Sequence, residues 1–121
     1  MFNLKRLINS FKYALEGISY SFKFNQNIRI HLVITLFLII FSFVLNFSRI
    51  EVLTVAIMVV LVISAEMINS SIEEVVNLLV QEHRKEAKIA KDVSAGMVLV
   101  VSAFALVVGL FIFIPHIFKL F

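Results

Sequence analysis

The chain has 121 residues, 61% of them hydrophobic and 16% charged, with a formal net charge of +3 and a mean hydropathy of +1.04. One domain is the natural count for this length, and the chain is too apolar for a water-soluble one; its continuous, non-alternating apolar runs point to membrane helices, not a β-barrel. The absence of cysteine excludes disulfides and thiolate sites, and positive charges scattered among acids exclude a nucleic-acid patch.

The first predicted element is a helix over 4–23. Leu4, Leu7, Ile8, Phe11, Leu15, Ile18 and Phe22 recur at steps of three and four, interrupted by Lys5, Lys12, Glu16 and Lys23. An apolar face opposite a lysine-bearing one is the pattern of a helix lying in the membrane interface, and it does not match a secretory signal. Gly17 inside it predicts a close backbone approach. Asn25-Gln26-Asn27 breaks the pattern and predicts a turn or helix start.

A first membrane helix is predicted over 28–47, with Arg29 and His31 at its mouth. A lone interfacial histidine is most simply satisfied by backbone or water. Residues 46–51 form a short polar connection. A second membrane helix is predicted over 50–80, apolar through Ala65 and then polar, projecting past the bilayer. The charged segment 81–92 has helical composition. A third span over 93–115 is uncharged and carries the small residues Ala95, Gly96, Ser102, Ala103 and Gly109, which allow close helix packing in lipid. Five cationic residues (Lys5, Arg6, Lys12, Lys23, Arg29) precede the first span and four (Arg84, Lys85, Lys88, Lys91) separate the second from the third. Only Arg49 and Lys119 fall on the other side, so the positive-inside rule predicts a cytoplasmic N-terminus and a cytoplasmic 81–92 segment.

The polar part of the second helix draws the most notice. Glu66, Asn69, Glu73 and Asn77, at steps of three, four and four, share one helical stripe. Glu66 and Glu73 lie two turns apart, about 10 Å along the axis. A charge at a membrane helix centre costs about 2.5–3.5 kcal/mol on insertion scales, so a functional role is the default for such a carboxylate. Two carboxylates so spaced can divide the work. One can hold Mg²⁺, which takes oxygen ligands and substrate phosphates, while the other, desolvated nearer the membrane, serves as a general base. A neighbouring lysine can neutralise phosphate oxygens. Phosphoryl transfer needs this set, yet no glycine-rich phosphate loop is present. From the pattern alone two other uses stay open: an ion- or proton-linked path, and a polar stripe that joins helices or subunits by hydrogen bonds.

The residue order carries further. Glu66-Met67-Ile68-Asn69-Ser70-Ser71-Ile72-Glu73, followed by Ala87-Lys88-Ile89-Ala90-Lys91-Asp92, resembles the signature of the small prokaryotic diacylglycerol kinase family, which includes the undecaprenol kinases. The resemblance extends to Arg6, Tyr13, Gly17, Asn27-x-Arg29-x-His31 and Phe113-Ile114-Pro115. It implies an all-α membrane protein: an amphipathic surface helix plus three transmembrane helices in a single kinase domain, assembled as a homotrimer in the bacterial cytoplasmic (inner) membrane. It implies transfer of the γ-phosphate of ATP, with Mg²⁺, to a lipid alcohol at the cytoplasmic face. By this resemblance Glu66 is the catalytic base and Glu73 holds metal and nucleotide. Lys91, Asp92, Arg6, Tyr13 and Glu82 contact ATP, and Asn69 and Arg29 line the lipid site. Two positions depart from the family. Asn25 stands where many members carry a second metal-binding Glu, so any metal role for it is through a neutral amide; Asn77 stands where many carry Asp. The Asn-x-Arg-x-His element and the Phe-Ile-Pro ending resemble the undecaprenol-type members, with diacylglycerol as the alternative acceptor.

Overall fold

The computed structural model describes all 121 residues and contains four helices. They are α1 (Leu4–Phe24), α2 (Gln26–Val44), α3 (Arg49–Leu79) and α4 (Lys85–Phe118). The last three are long and apolar enough to cross a membrane. At 1.5 Å per residue α3 and α4 exceed a hydrocarbon core of about 30 Å, so each must carry a polar end beyond it.

Each boundary has a local cause. Asn3 caps α1 by accepting from the Arg6 amide at 3.1 Å. Asn25 caps α2, its Oδ1 accepting from the amides of Asn27 (2.9 Å) and Ile28 (3.3 Å), which starts the helix two residues before the expected 28. α2 ends at Val44, three residues before the expected 47, because the chain turns through Asn46 at φ 53°. Asparagine tolerates this left-handed conformation better than most residues. Ser48 and Glu51 then form a reciprocal capping box that opens α3. Residues 85–92 are not a separate segment but the first turns of α4. They are good helix formers, and Lys88 pairs with Asp92 one turn on. α4 runs on to Phe118, three residues beyond the expected 115, with Pro115 inside its last turns.

α3 and α4 run antiparallel. Glu51 near the start of α3 meets His116 near the end of α4, with Nε2 3.0 and 3.1 Å from the two carboxylate oxygens. Phe47 packs on the same imidazole, ring centres 4.7 Å apart. At the other end Asn69 and Asn77 of α3 meet Ser94 and Lys91 of α4. α2 lies against α3, and α1 meets α2 at the Asn25 corner. Only six residues are buried within the chain: Ile28, Val62, Ala65, Glu66, Asn69 and Ser94. Three of the six are polar, so the best-buried part of the molecule lies at the polar end of the helices. The apolar outer faces are left for lipid or other copies. The close approach expected at Gly17 is not made, since an added Cβ there would meet nothing within 4 Å. The same holds for Gly96 and Gly109, so these glycines do not serve helix packing inside one chain.

Candidate functional site

The site is built on α3. Glu66 is 2% exposed, and its Oε2 is buried with no hydrogen-bond partner. Its Oε1 lies 3.7 Å from Nε2 of His31 on α2, too far for a hydrogen bond but within ion-pair range. An unsatisfied buried acceptor costs about 1–3 kcal/mol, more when charged, and no donor in the chain reaches this oxygen. A buried polar atom left without a partner marks strain, a catalytic role, or a donor from outside the chain.

One turn on, Asn69 is also buried, its Oδ1 accepting from the Ser94 hydroxyl at 2.6 Å. Ser94 sits within hydrogen-bonding reach of the Lys91 carbonyl as well, at 2.9 Å, so α4 is held in register with α3 here. Glu73 is exposed and faces the same pocket as Glu66 and Asn69. Gly17, Tyr20 and Ser21 from α1, Asn25 and Asn27 from the corner, and Ser70 and Glu74 from α3 complete that pocket. Tyr20 donates to Glu74 at 3.4 Å, and Asn25 donates through Nδ2 to Ser70. Lys91, half-buried, donates to Asn77 one turn beyond Glu73, while Asp92 is paired with Lys88. Lys91 therefore contacts a neutral amide and keeps its charge available.

The structure thus brings Glu66, Asn69, Glu73 and Asn25 together in one pocket, with Lys91 close by on α4. It does not bring Arg6 and Tyr13 there. They line a separate concavity on α1 with Asn3, Lys5, Asn9 and Ser10. Tyr13 lies seven residues before Tyr20, about 10 Å along the helix, and Arg6 about twice that. Glu82 is exposed in the connection before α4, 3.9 Å from Arg84, and Arg29 is exposed on the first turns of α2. Three contributors escape the sequence pattern: His31, Ser94 and Ser70. For His31 the signal is its place in Asn27-x-Arg29-x-His31; for Ser94 it is the spacing of three from Lys91.

No three carboxylate or imidazole groups form a complete metal cage. The donor set fits a cation held by one carboxylate, Glu73, together with substrate phosphates, the usual manner of Mg²⁺. The metal role expected of Asn25 meets an obstacle. Both acceptor sites of its Oδ1 are taken by the α2 cap. Replacing Asn25 with Ala is expected to cost about 1 kcal/mol of stability, the usual value of a lost cap, read as a lower unfolding midpoint in micelles.

Three membrane-length helices around one polar centre of carboxylates, amides and a lysine define a small helical membrane protein with a phosphate-compatible site. Comparison with known proteins makes the class specific. The family model described as prokaryotic diacylglycerol kinase matches residues 12–113. The chain is 37% identical over 115 residues to a diacylglycerol kinase of Synechocystis sp., covering 94% of this chain and 66% of that protein. It is 32% identical over 112 residues to an undecaprenol kinase of Bacillus subtilis, covering 93% and 91%. With a diacylglycerol kinase of Haemophilus influenzae it shares 33% over 97 residues, 80% and 82% of the two chains. The chain belongs to the prokaryotic diacylglycerol kinase family, a family of membrane lipid kinases.

Proposed function

We propose that this protein transfers the γ-phosphoryl group of ATP to the hydroxyl of undecaprenol, at the cytoplasmic face of a bacterial inner membrane. The observation that carries the reading is the buried, unpartnered Oε2 of Glu66 beside a pocket that also holds Glu73. The acceptor hydroxyl donates to Glu66. Glu66 takes that proton as the hydroxyl oxygen attacks the γ-phosphorus, the bond to the β-phosphate oxygen breaks, and ADP departs with its charge. Asn69, fixed by Ser94, holds the acceptor side of the pocket. Lys91 offsets phosphate charge, and Asn77 orients its ammonium without neutralising it, which turns the departure at position 77 into an advantage. Glu73 is the residue to hold Mg²⁺, which when bound neutralises charge on the transferring phosphates. Asp92, Arg6, Tyr13 and Glu82 are assigned to the nucleotide by family resemblance, and Arg29 to the lipid headgroup region. The positive-inside pattern supports the orientation, the lysine-bearing α1 suits an interfacial position, and the family resemblance supports a homotrimer.

Undecaprenol is favoured by the Bacillus subtilis relative, nine-tenths of whose length the chain covers, and by Asn27-x-Arg29-x-His31, whose histidine reaches Glu66. Diacylglycerol is the second reading, because the relatives from Synechocystis sp. and Haemophilus influenzae bear that name. The test is labelled phosphate transfer from ATP by the purified protein in micelles, with both lipids supplied side by side. Undecaprenyl phosphate is the expected product. Phosphatidate alone would move the protein to the second reading. Transfer to neither by a folded oligomer would favour an ion-linked or purely structural membrane oligomer.

A further inference from the structure

Among the titratable groups at the site, His31 has no task in the chemistry above. Its Nε2 lies 3.7 Å from Oε1 of Glu66, and Glu66 is the one charged group paired with it. Arg29, two positions earlier on α2, is exposed and does not share its face of the helix. On its other side His31 borders apolar residues of α2, α3 and α4, among them Leu38, Val62 and Leu106. The Thr35 hydroxyl there is spent on the His31 backbone carbonyl at 2.7 Å. His116, the other histidine of the membrane-length helices, commits its Nε2 to Glu51 at 3.0 and 3.1 Å. His31 makes no such bond, and its ring stays free to take a proton. The pair also differs in access: the Glu66 side chain is 3% exposed and that of His31 25%.

We propose that His31 is the proton outlet of the site, taking from Glu66 the proton that Glu66 removes from the acceptor hydroxyl. The inference rests on the phosphoryl-transfer reading above and adds where the proton goes next. The hydroxyl proton arrives on Oε2, the oxygen without a partner. Glu66 itself opens only on the polar pocket, which substrate fills during transfer. A half-turn of the carboxyl about its last torsion, which is two-fold, brings the protonated oxygen to the imidazole. The 3.7 Å gap closes to about 2.7–3.2 Å for the transfer, as catalytic contacts tighten once substrate is bound. The O–H bond of Glu66 then breaks, an N–H bond forms at Nε2, and Glu66 is a carboxylate again. Imidazole is the stronger base of the two in water, which sets the direction. The imidazolium so formed compensates the buried carboxylate beside it. After ADP has left, the ring gives one proton to water and is neutral for the next cycle. His31 thus acts through Glu66 and touches neither phosphate nor lipid in this step.

His31→Ala and His31→Gln test this in the full-length protein in micelles, with undecaprenol and dioleoylglycerol supplied in parallel. Both variants are expected to lose about 10²-fold in kcat, the low end of what a positioned proton-transfer group contributes. The KM for ATP and the oligomeric state stay as in the unsubstituted protein. Added imidazole restores turnover to His31→Ala, which leaves it room, and not to His31→Gln. Across substituted imidazoles of similar size the rescue rises with basicity. The 1,3-dimethylimidazolium cation, which cannot take a proton, restores nothing. Activity within about two-fold of the parent in His31→Gln overturns the proposal, because glutamine keeps a polar side chain but relays no proton. Rescue by dimethylimidazolium overturns it too, since charge alone would then suffice. Should His31→Ala fail to fold, His31→Gln decides through the solvent deuterium isotope effect on kcat. A lower kcat with a larger isotope effect supports the outlet, and a lower kcat without one overturns it. Absence of phosphate transfer by the unsubstituted protein removes the kinase reading and this inference with it. Transfer by the parent with indifferent variants removes the outlet alone.

Discussion

Glu66→Gln is expected to lower turnover by about 10²–10⁴-fold, the usual worth of a general base, while ATP binding stays within about two-fold. Glutamine keeps the volume of glutamate and one carbonyl oxygen, so the polar cluster of Asn69 and Ser94 should hold its geometry. What it loses is the capacity to accept a proton. A second readout sharpens the prediction. The Glu66 carboxyl group is buried with one oxygen unpartnered, and a neutral amide in its place lowers the cost of burying it. The inactive variant should therefore unfold in micelles at the same temperature as the parent or a higher one. Function held at the expense of stability is the expected signature of an active-site group. Parallel loss of ATP binding and turnover would recast Glu66 as a nucleotide ligand. Full activity would remove it from the chemistry. A large drop in stability would mean that the His31 contact holds the fold together.

Much of this could be read from the residues, and what escaped has physical causes. The α3 stripe was legible because a period of three and four is a property of the helix itself, so Glu66, Asn69 and Glu73 had to share a face wherever that helix lay. The existence of all four helices followed from apolar period and length. Partners across helices were less legible. His31 on α2 and Ser94 on α4 reach Glu66 and Asn69 only through tertiary packing, which no spacing within one helix encodes. Asn25 shows a different limit. The metal role that the family resemblance implied for it would need the same oxygen that its cap on α2 uses. The Ser48-x-x-Glu51 capping box was readable too, yet the use of the same Glu51 to hold His116, over sixty residues away, was not. Arg6 and Tyr13 lie on α1, whose contact with the rest of the chain is concentrated at the Tyr20 and Asn25 end. Within one chain they line a concavity of their own, apart from the pocket that holds Glu66.

Glu73→Gln should separate the two carboxylates. Glu73 is exposed in the pocket it shares with Glu66. As the one carboxylate assigned to the cation, it contributes charge as well as an oxygen, and the amide of glutamine keeps only the oxygen. Loss of an outer-shell partner alone commonly costs 10–100-fold in metal affinity, so loss of this ligand charge should raise the half-saturating Mg²⁺ concentration by at least about that factor. At a fixed, low Mg²⁺ concentration turnover then falls steeply. Excess Mg²⁺ should recover most of it, because the base and the phosphate-facing lysine are untouched. Glu66→Gln should show no such rescue, since no cation replaces a proton acceptor. The pair of titrations is therefore diagnostic: one variant repaired by metal, the other indifferent to it. Equal rescue of both would merge the two carboxylates into one metal site and leave the proton without an acceptor. Rescue of neither would place Glu73 directly on the nucleotide and assign the cation to ATP alone.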